Sequence, residues 1–383
     1  MKIAFIGLRG IPANYGGFET FAEELAPRLV DRGHQVTVYG RSNNIDYAAP
    51  FYKGVRIKVL PTISHKYLDT LVHTLLASVH CSLKGGYDVI LMVNAANAPF
   101  AIFPRIARIP VALNVDGIER LRKKWGRPGQ ILYRIGEWMA TRIPNQIVAD
   151  AQVIAQYYDE TYGQVSEIIA YGANTDTTPA GETLQRLNLK PENYVLYVSR
   201  LERENNADKV MKAFKSVETE CPLVVVGDAP YSDEYKAELV ALAASDERVI
   251  LTGGIYGNGY RELISNACVY VQATEVGGTH PALLEAMATG NCVVANHVAE
   301  HEEVLGDCGV LYKFNDTGDL AEQLRSVLSD KDKRKTCARM ARMRIAENYT
   351  WDVIAEKYEV LLSRVAGKAS DLRAESSAGQ ILQ

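Results

Sequence analysis

Short apolar runs alternate with helix-length segments along this whole chain, and that rhythm leaves few folds open. Runs such as KIAFI, YVLYVS, PLVVVG and CVVAN are too short for helices and too uniformly apolar for strands with one wet face. They read as strands of a parallel sheet buried on both sides by the helices between them. The first series of strands is expected near 2–8, 35–40, 55–60, 88–93, 111–115, 146–150 and 166–170. Its helices fall near 18–32, 66–83, 98–107, 129–142 and 152–161. A second series begins at YVLYVS (194–199) and runs through 222–227, 248–253, 269–274, 292–296 and 309–312. Its helices are expected near 206–218, 232–244, 258–267, 281–289, 317–329 and 331–347.

A chain of 383 residues is too long for one hydrophobic core, so two α/β domains are the expectation. They divide as 1–171 and 172–350, joined through 172–191, a segment with Gly, Asn, Thr and Pro and no clear period. The helical pattern at 351–365 is expected to pack back on the first domain, and 367–383 reads as a frayed tail. Neither domain opens with G-x-G-x-x-G, which argues against a nicotinamide or flavin enzyme.

Charge excludes another class. The net charge of −4 does not suit a general nucleic-acid binder. The six cysteines have no metal-ligand or disulfide-framework spacing and read as reduced residues of a cytoplasmic protein. The start MKIAFIGLRG is a first strand rather than a signal peptide, and no apolar stretch is long enough to span a membrane.

Four stretches carry candidate chemistry. In TEVGGTHPALLEAMATG (274–290), Gly277 and Gly278 allow close backbone approach, and Pro281 suits a first helical position with Thr279 or His280 capping it. A helix start without bulky side chains is an anion site fit for phosphate. Glu275 and Glu285 flank it as hydroxyl acceptors. In SRLERENN, Arg200 follows the first strand of the second domain, where a guanidinium can grip a diphosphate. Gly16 and Gly17, with Arg9 and Asn14 nearby, end the first strand's loop and precede a helix. In NVDGIERLRKKWGRPGQ (114–130), Asp116 stands just past a strand, placed to orient an acceptor hydroxyl. The basic run from Arg120 to Arg127 suits a phosphorylated or lipid-linked acceptor or an anionic membrane surface. Asp228 and Tyr256 are lesser candidates for lining a base pocket.

Together, GLRGIPANYGGFET, NVDGIERLRKKWGRPGQ, RLERENN and EVGGTHPALLEAM resemble retaining glycosyltransferases of family 4 over most of the chain. Within that family they are similar to the subgroup with bacterial β-1,4-rhamnosyltransferases of capsule and cell-wall polysaccharide synthesis. The resemblance implies the GT-B architecture: two facing Rossmann-like domains with parallel sheets and a cleft between them. It implies Asp116, Arg200 and Glu275 as catalytic residues. Donor contacts would come from Gly16, Gly17, Arg200, Asn205, Gly278, Thr279, His280 and Glu285, and acceptor contacts from Asp116, Lys124 and Arg127.

The chain departs from the family pattern in places. Nine residues separate Glu275 from Glu285, and Gly277 holds the usual place of the first acid. Asn205 stands where the family commonly has Lys, as it does in this subgroup, with Arg203 as a substitute cation. No match exists for the first domain's donor-contacting His; Asp116 lies in that neighbourhood.

The implied reaction is transfer of a sugar, L-rhamnose from dTDP-rhamnose, to a hydroxyl of a lipid-linked glycan at the inner face of the membrane. The nucleoside diphosphate sugar is a co-substrate; no cofactor and no metal are expected. Transfer from UDP-glucose, UDP-N-acetylglucosamine or GDP-mannose is the first alternative. An epimerase on the same fold and a non-catalytic nucleotide- or glycan-binding subunit are the others.

Overall fold

The computed structural model describes residues 1–13, 16–65, 68–118, 120, 126–229 and 233–368. Two compact units emerge: Met1–Gly172 with the chain from Trp351 onward, and Ala173–Thr350. The part of the expected tail from 369 to 383 lies outside the described residues.

The first unit holds β1 (Lys2–Ile6), α1 (Gly17–Asp31), β2 (Gln35–Arg41), β3 (Phe51–Tyr52), β4 (Val55–Leu60), α2 (Leu68–Lys84) and β5 (Val89–Val93). It continues through α3 (Ile102–Ile106), β6 (Val111–Asn114), α4 (Arg127–Ala140), β7 (Gln146–Ala149), α5 (Gln152–Tyr162) and β8 (Glu167–Ile168). The sheet order is β3-β4-β2-β1-β5-β6-β7-β8. All pairs are parallel but one, since β3 and β4 form an antiparallel hairpin. The sequence rhythm missed β3 because it is two residues long. Its turn, Lys53 and Gly54, has both φ angles positive, the geometry that a two-residue hairpin requires. The helix expected over 98–107 is split, with a 3-10 segment at Ala95–Ala101 leading into α3.

The second unit holds α6 (Glu182–Arg186), β9 (Val195–Val198), α7 (Ala207–Lys215), β10 (Leu223–Val226), α8 (Asp233–Ala243), β11 (Val249–Gly253), α9 (Gly257–Asn266) and β12 (Val269–Gln272). Next come α10 (Pro281–Thr289), β13 (Cys292–Asn296), α11 (Ala299–Leu305), β14 (Val310–Tyr312), α12 (Thr317–Ser329) and α13 (Lys331–Asn348). Its sheet is parallel, in the order β11-β10-β9-β12-β13-β14. The core is the two-sided burial expected of such strands, with Val195, Val225, Val271 and Val294 packed under Phe214 and Leu324.

One reading changes. The segment 173–191 is not a bare link; it contains α6 and belongs to the second unit. No local period reveals α6, because a distant side chain fastens it. The Glu262 carboxylate accepts the N–H groups of Gly181, Thr183 and Leu184 at 2.7, 3.1 and 2.8 Å. That supplies from α9 the cap that α6 lacks in its own sequence. The last helix, α14 (Trp351–Val365), packs in the first unit against α1. There Glu359 pairs with Arg32 at 3.0 Å and His34 at 2.8 Å, and Phe21 lies edge-on to Tyr358.

All six cysteines are free thiols, four of them buried. No helix among the described residues is long and apolar enough to cross a membrane.

Candidate functional site

Each sheet reverses its strand order beside its first strand. In the second unit β9 lies between β10 and β12, and in the first β1 lies between β2 and β5. Open α/β sheets bind ligands at the carboxyl end of that switch point.

In the second unit the register sets Tyr197 level with Val271, so the loops after β9 and β12 start side by side. The Glu275 N–H donates to the Glu204 carbonyl at 2.9 Å and ties the two loops together. Arg200 is exposed, and among the described residues its guanidinium makes no ion pair or hydrogen bond. Its backbone is held from beneath. Asn205 is buried, its Nδ2 donates to the Arg200 carbonyl at 2.7 Å, and the Tyr197 hydroxyl donates to the Asn205 carbonyl at 2.7 Å. Asn205 thus braces the loop that carries the cation. Arg203, the expected substitute cation, pairs with Glu238 at 3.0 Å and lies over the Tyr235 ring.

Glu275 is bound within its own unit. Its Oε1 accepts from Lys209 Nζ at 3.3 Å and Asn315 Nδ2 at 3.0 Å. The Asn315 amide oxygen accepts in turn from Asn206 at 2.9 Å and Asn296 at 3.1 Å. Sequence reading missed this asparagine network. Its signal was there in RENN, VVAN and KFND, since Asn206 and Asn315 take the left-handed backbone that Asn tolerates.

The α10 start has Pro281 at its first position and His280 as N-cap. Of the two expected caps, His280 makes none. Thr279 is buried, and the His280 ring turns inward onto His301, 5.0 Å between centroids. Gly277 permits this, because a Cβ there would stand 2.7 Å from His280 Nε2. His301 donates through Nδ1 to the Asn296 carbonyl at 2.8 Å. One turn into α10, Glu285 accepts the Tyr260 hydroxyl. Burial, and then the Glu285 charge, push that hydroxyl well above its ordinary pKa, so it stays a donor. Tyr260 was not foreseen; it comes from α9, which no local motif connects to α10.

In the first unit Gly16 has φ +121°, and a Cβ on it would lie 2.1 Å from Glu19 Oε2. The Glu19 carboxylate accepts the Arg9 N–H at 2.8 Å and closes the loop over α1. Around Gly17 a Cβ would meet nothing within 4 Å, so this glycine leaves open space. Asp116 follows β6 with φ +59°, a strain of about 1 kcal/mol for a residue with a Cβ. Its N–H donates to Asn114 Oδ1 at 2.9 Å, and the Tyr171 hydroxyl donates to its Oδ1 at 3.2 Å. Asn114 itself donates to the Tyr358 hydroxyl of α14 at 2.8 Å.

The basic run divides. Arg120 is not a free cation: it donates to Glu137 at 3.2 Å and Tyr157 at 2.8 Å and stacks on the Tyr157 ring. Lys124, Asn14 and Trp125 lie outside the described residues. Arg127 opens α4, exposed and without an ion pair among the described residues. Asp228 pairs with Lys236 at 3.2 Å.

After β9 and β12, at the carboxyl end of its sheet, the second unit therefore carries a cation with no partner among the described residues, a helix start whose N-cap residue makes no side-chain cap, and a Tyr-buttressed carboxylate. These suit a diphosphate with a hydroxyl-bearing sugar attached. Residues 182–344 match the model described as Glycosyl transferases group 1, and residues 1–174 match a domain of unknown function, DUF1972. An uncharacterized glycosyltransferase, MJ1607, of Methanocaldococcus jannaschii is 23% identical over 93% of this chain and 96% of its own. Four other curated relatives are matched over only 33–46% of their own length. Among solved structures, sucrose-phosphate synthase from Thermosynechococcus elongatus superposes with TM-score 0.81 at 19% identity, over 95% of this chain and 98% of that one. Anabaena HepE in complex with UDP follows at TM-score 0.76 and 19% identity, over 95% and 100%.

Proposed function

We propose that this chain, a nucleotide-sugar glycosyltransferase of the GT-B type, is a family 4 enzyme that transfers L-rhamnose from dTDP-rhamnose to a hydroxyl of a lipid-linked glycan. Transfer retains the anomeric configuration, needs no metal and takes place at the membrane's inner face. The observation that carries the reading is that the loop bearing Arg200, whose guanidinium has no partner among the described residues, is tied to the loop that leads into α10, where the N-cap His280 makes no side-chain cap. Charge develops on the departing diphosphate, and both features are donors fixed in advance of it.

The C1–O bond to the diphosphate breaks as the acceptor oxygen bonds C1 on the same face. The acceptor proton passes to a departing phosphate oxygen, so no protein nucleophile is required. Asp116, in its strained backbone position, orients the acceptor hydroxyl, with Lys124 and Arg127 toward the acceptor's anionic part. Gly16 and Gly17 admit the donor phosphates. Glu285 accepts from donor hydroxyls. Glu275 acts through the Thr274 loop or on the sugar itself.

HepE, solved with UDP-glucose as well as UDP, favours a second reading in which the donor is UDP-glucose. A panel of dTDP-rhamnose, UDP-glucose, UDP-N-acetylglucosamine and GDP-mannose, scored by nucleoside diphosphate release, decides between them. dTDP-rhamnose is expected to be turned over fastest; equal or slower release than from the uridine sugars removes the rhamnosyl assignment. NMR of the product's anomeric centre tests retention.

Glu285→Gln is expected to weaken nucleotide-sugar binding by roughly tenfold to a hundredfold, the worth of a hydrogen bond to a charged acceptor. The amide oxygen still accepts from Tyr260, so the melting temperature should hold. Calorimetric titration giving wild-type affinity would remove Glu285 from the donor contacts.

A further inference from the structure

One face of the first unit is not explained by sugar transfer. On α4, Arg127, Ile131, Arg134, Ile135 and Trp138 recur at the spacing that puts them on one side of a helix. Ile131 is 60% exposed, Ile135 49% and Trp138 51%. The opposite side is sealed inward. Gly136 lies against the 3-10 segment, where a Cβ would stand 2.8 Å from the Ala95 carbonyl, and Glu137 is buried.

Beside this helix runs an open groove of about 570 Å³, lined by Ile102, Ile106 and Ile143 and by the cations Arg105, Arg108 and Arg142. It lies at the amino ends of β6 and β7, the far end of the sheet from Gly16, Gly17 and Asp116. Arg105 bonds the Asn145 amide oxygen at 3.0 Å, Arg142 stacks on Trp138, and the Arg108 guanidinium has no bonded partner among the described residues. Arg108 is also held at φ +60°, at the end of α3.

The charge here is one-sided. Residues 102–146 contain nine Lys or Arg but only Asp116, Glu119 and Glu137 as acids, in a chain whose net charge is −4. Glu137 does not offset the face, because Arg120, Tyr157 and Tyr162 all donate to it internally. Apolar side chains interleaved with guanidiniums, with a tryptophan among them, match an interfacial surface: the apolar groups enter the acyl boundary and the cations meet phosphates. A protein partner of ordinary composition would not call for a row of cations with no acid among them.

We propose that the α3 and α4 face of the first unit docks on the surface of an anionic phospholipid bilayer, with the Arg105, Arg108 and Arg142 groove taking a headgroup phosphate. This deepens the reading of a membrane-borne acceptor and supplies the surface by which the enzyme reaches it. It differs from the basic run around Arg120, whose first cation is internal.

The test is flotation of the full chain with vesicles of phosphatidylcholine alone and of equimolar phosphatidylcholine and phosphatidylglycerol, without acceptor or donor. Binding to the anionic vesicles, lost in high salt, is expected; neutral vesicles should bind little. Arg108→Glu with Arg142→Glu should weaken binding by roughly tenfold or more, and Ile135→Asp should do so independently. Circular dichroism and nucleoside diphosphate release from the donor in the presence of a water-soluble acceptor should match wild type, which shows that the variants fold. Equal binding to both vesicle types, or variants that bind as wild type, overturns the proposal. So does a dimer in sedimentation velocity that Ile135→Asp dissociates, since a second copy would then be the occupant. Vesicle binding without transfer to any lipid-linked acceptor would fell the acceptor reading and leave the docking face standing. Transfer to such an acceptor in detergent by a chain that ignores vesicles would do the reverse.

Discussion

Arg200→Ala is expected to lower kcat/KM for sugar transfer by roughly two to three orders of magnitude while leaving the fold intact. The guanidinium has no partner among the described residues, so its removal leaves no buried group unpaired. The loop's own restraints act on the Arg200 carbonyl, which receives Asn205 Nδ2 at 2.7 Å and the Glu202 N–H at 2.7 Å. Alanine keeps that carbonyl. Arg200→Lys should recover only part of the loss, because an ammonium is a point charge and cannot present two parallel donors to a diphosphate. Steady-state nucleoside diphosphate release, read beside thermal melts, checks this. Activity within a few fold of wild type would end the leaving-group role.

The second large effect is on stability in mild acid. His73 and His301 are fully buried, and burial lowers both imidazoles to a pKa of about 4. Burial outweighs the one bond that each ring donates, His73 Nε2 to the Gly40 carbonyl at 3.0 Å and His301 Nδ1 to the Asn296 carbonyl, which by itself would favour the charged form. Their other nitrogens have no partner. Between pH 6.5 and 4 the unfolded chain takes up protons on these residues that the folded chain refuses. Their contribution is therefore complete above pH 6.5 and is lost as pH falls toward 4, by on the order of 3 kcal/mol for each histidine. Urea unfolding at a series of pH values should show stability falling through this window. His301→Gln and His73→Gln should each flatten the slope, and an unchanged slope in both would refute the assignment. Because His301 underlies the His280 ring, the loop at the α10 start is expected to loosen in the same window.

Several features were legible before any coordinates. The strands β1, β5, β9, β10, β12 and β13 announce themselves as short apolar runs, because a strand buried on both faces tolerates nothing else. The α10 start was legible for a local reason too: glycines, then proline, then an apolar stripe, then Gly290 in the left-handed C-cap. Where the reading failed, the cause was distance along the chain. The segment 173–191 looked structureless because the carboxylate that caps α6 is Glu262, on another helix. Arg120 looked like part of a solvated basic run because Glu137 and Tyr157 are far from it in sequence.

The sequence by itself therefore determined the layering, the strand ends where candidate loops emerge, and the residue types offered there. Those follow from periodicity and backbone preference, which act over a few neighbouring residues. Tertiary structure alone decided what each charged group does. Arg200 stays open while Arg203 is consumed by Glu238, Glu275 is anchored by Lys209 and Asn315, and Glu285 is braced by Tyr260. It also turned the α4 stripe outward, since Gly136 fits against the 3-10 segment only with Ile131, Ile135 and Trp138 on the other side. The partner of a charge and the face of a helix depend on which distant element the fold brings alongside, and no local pattern carries that information.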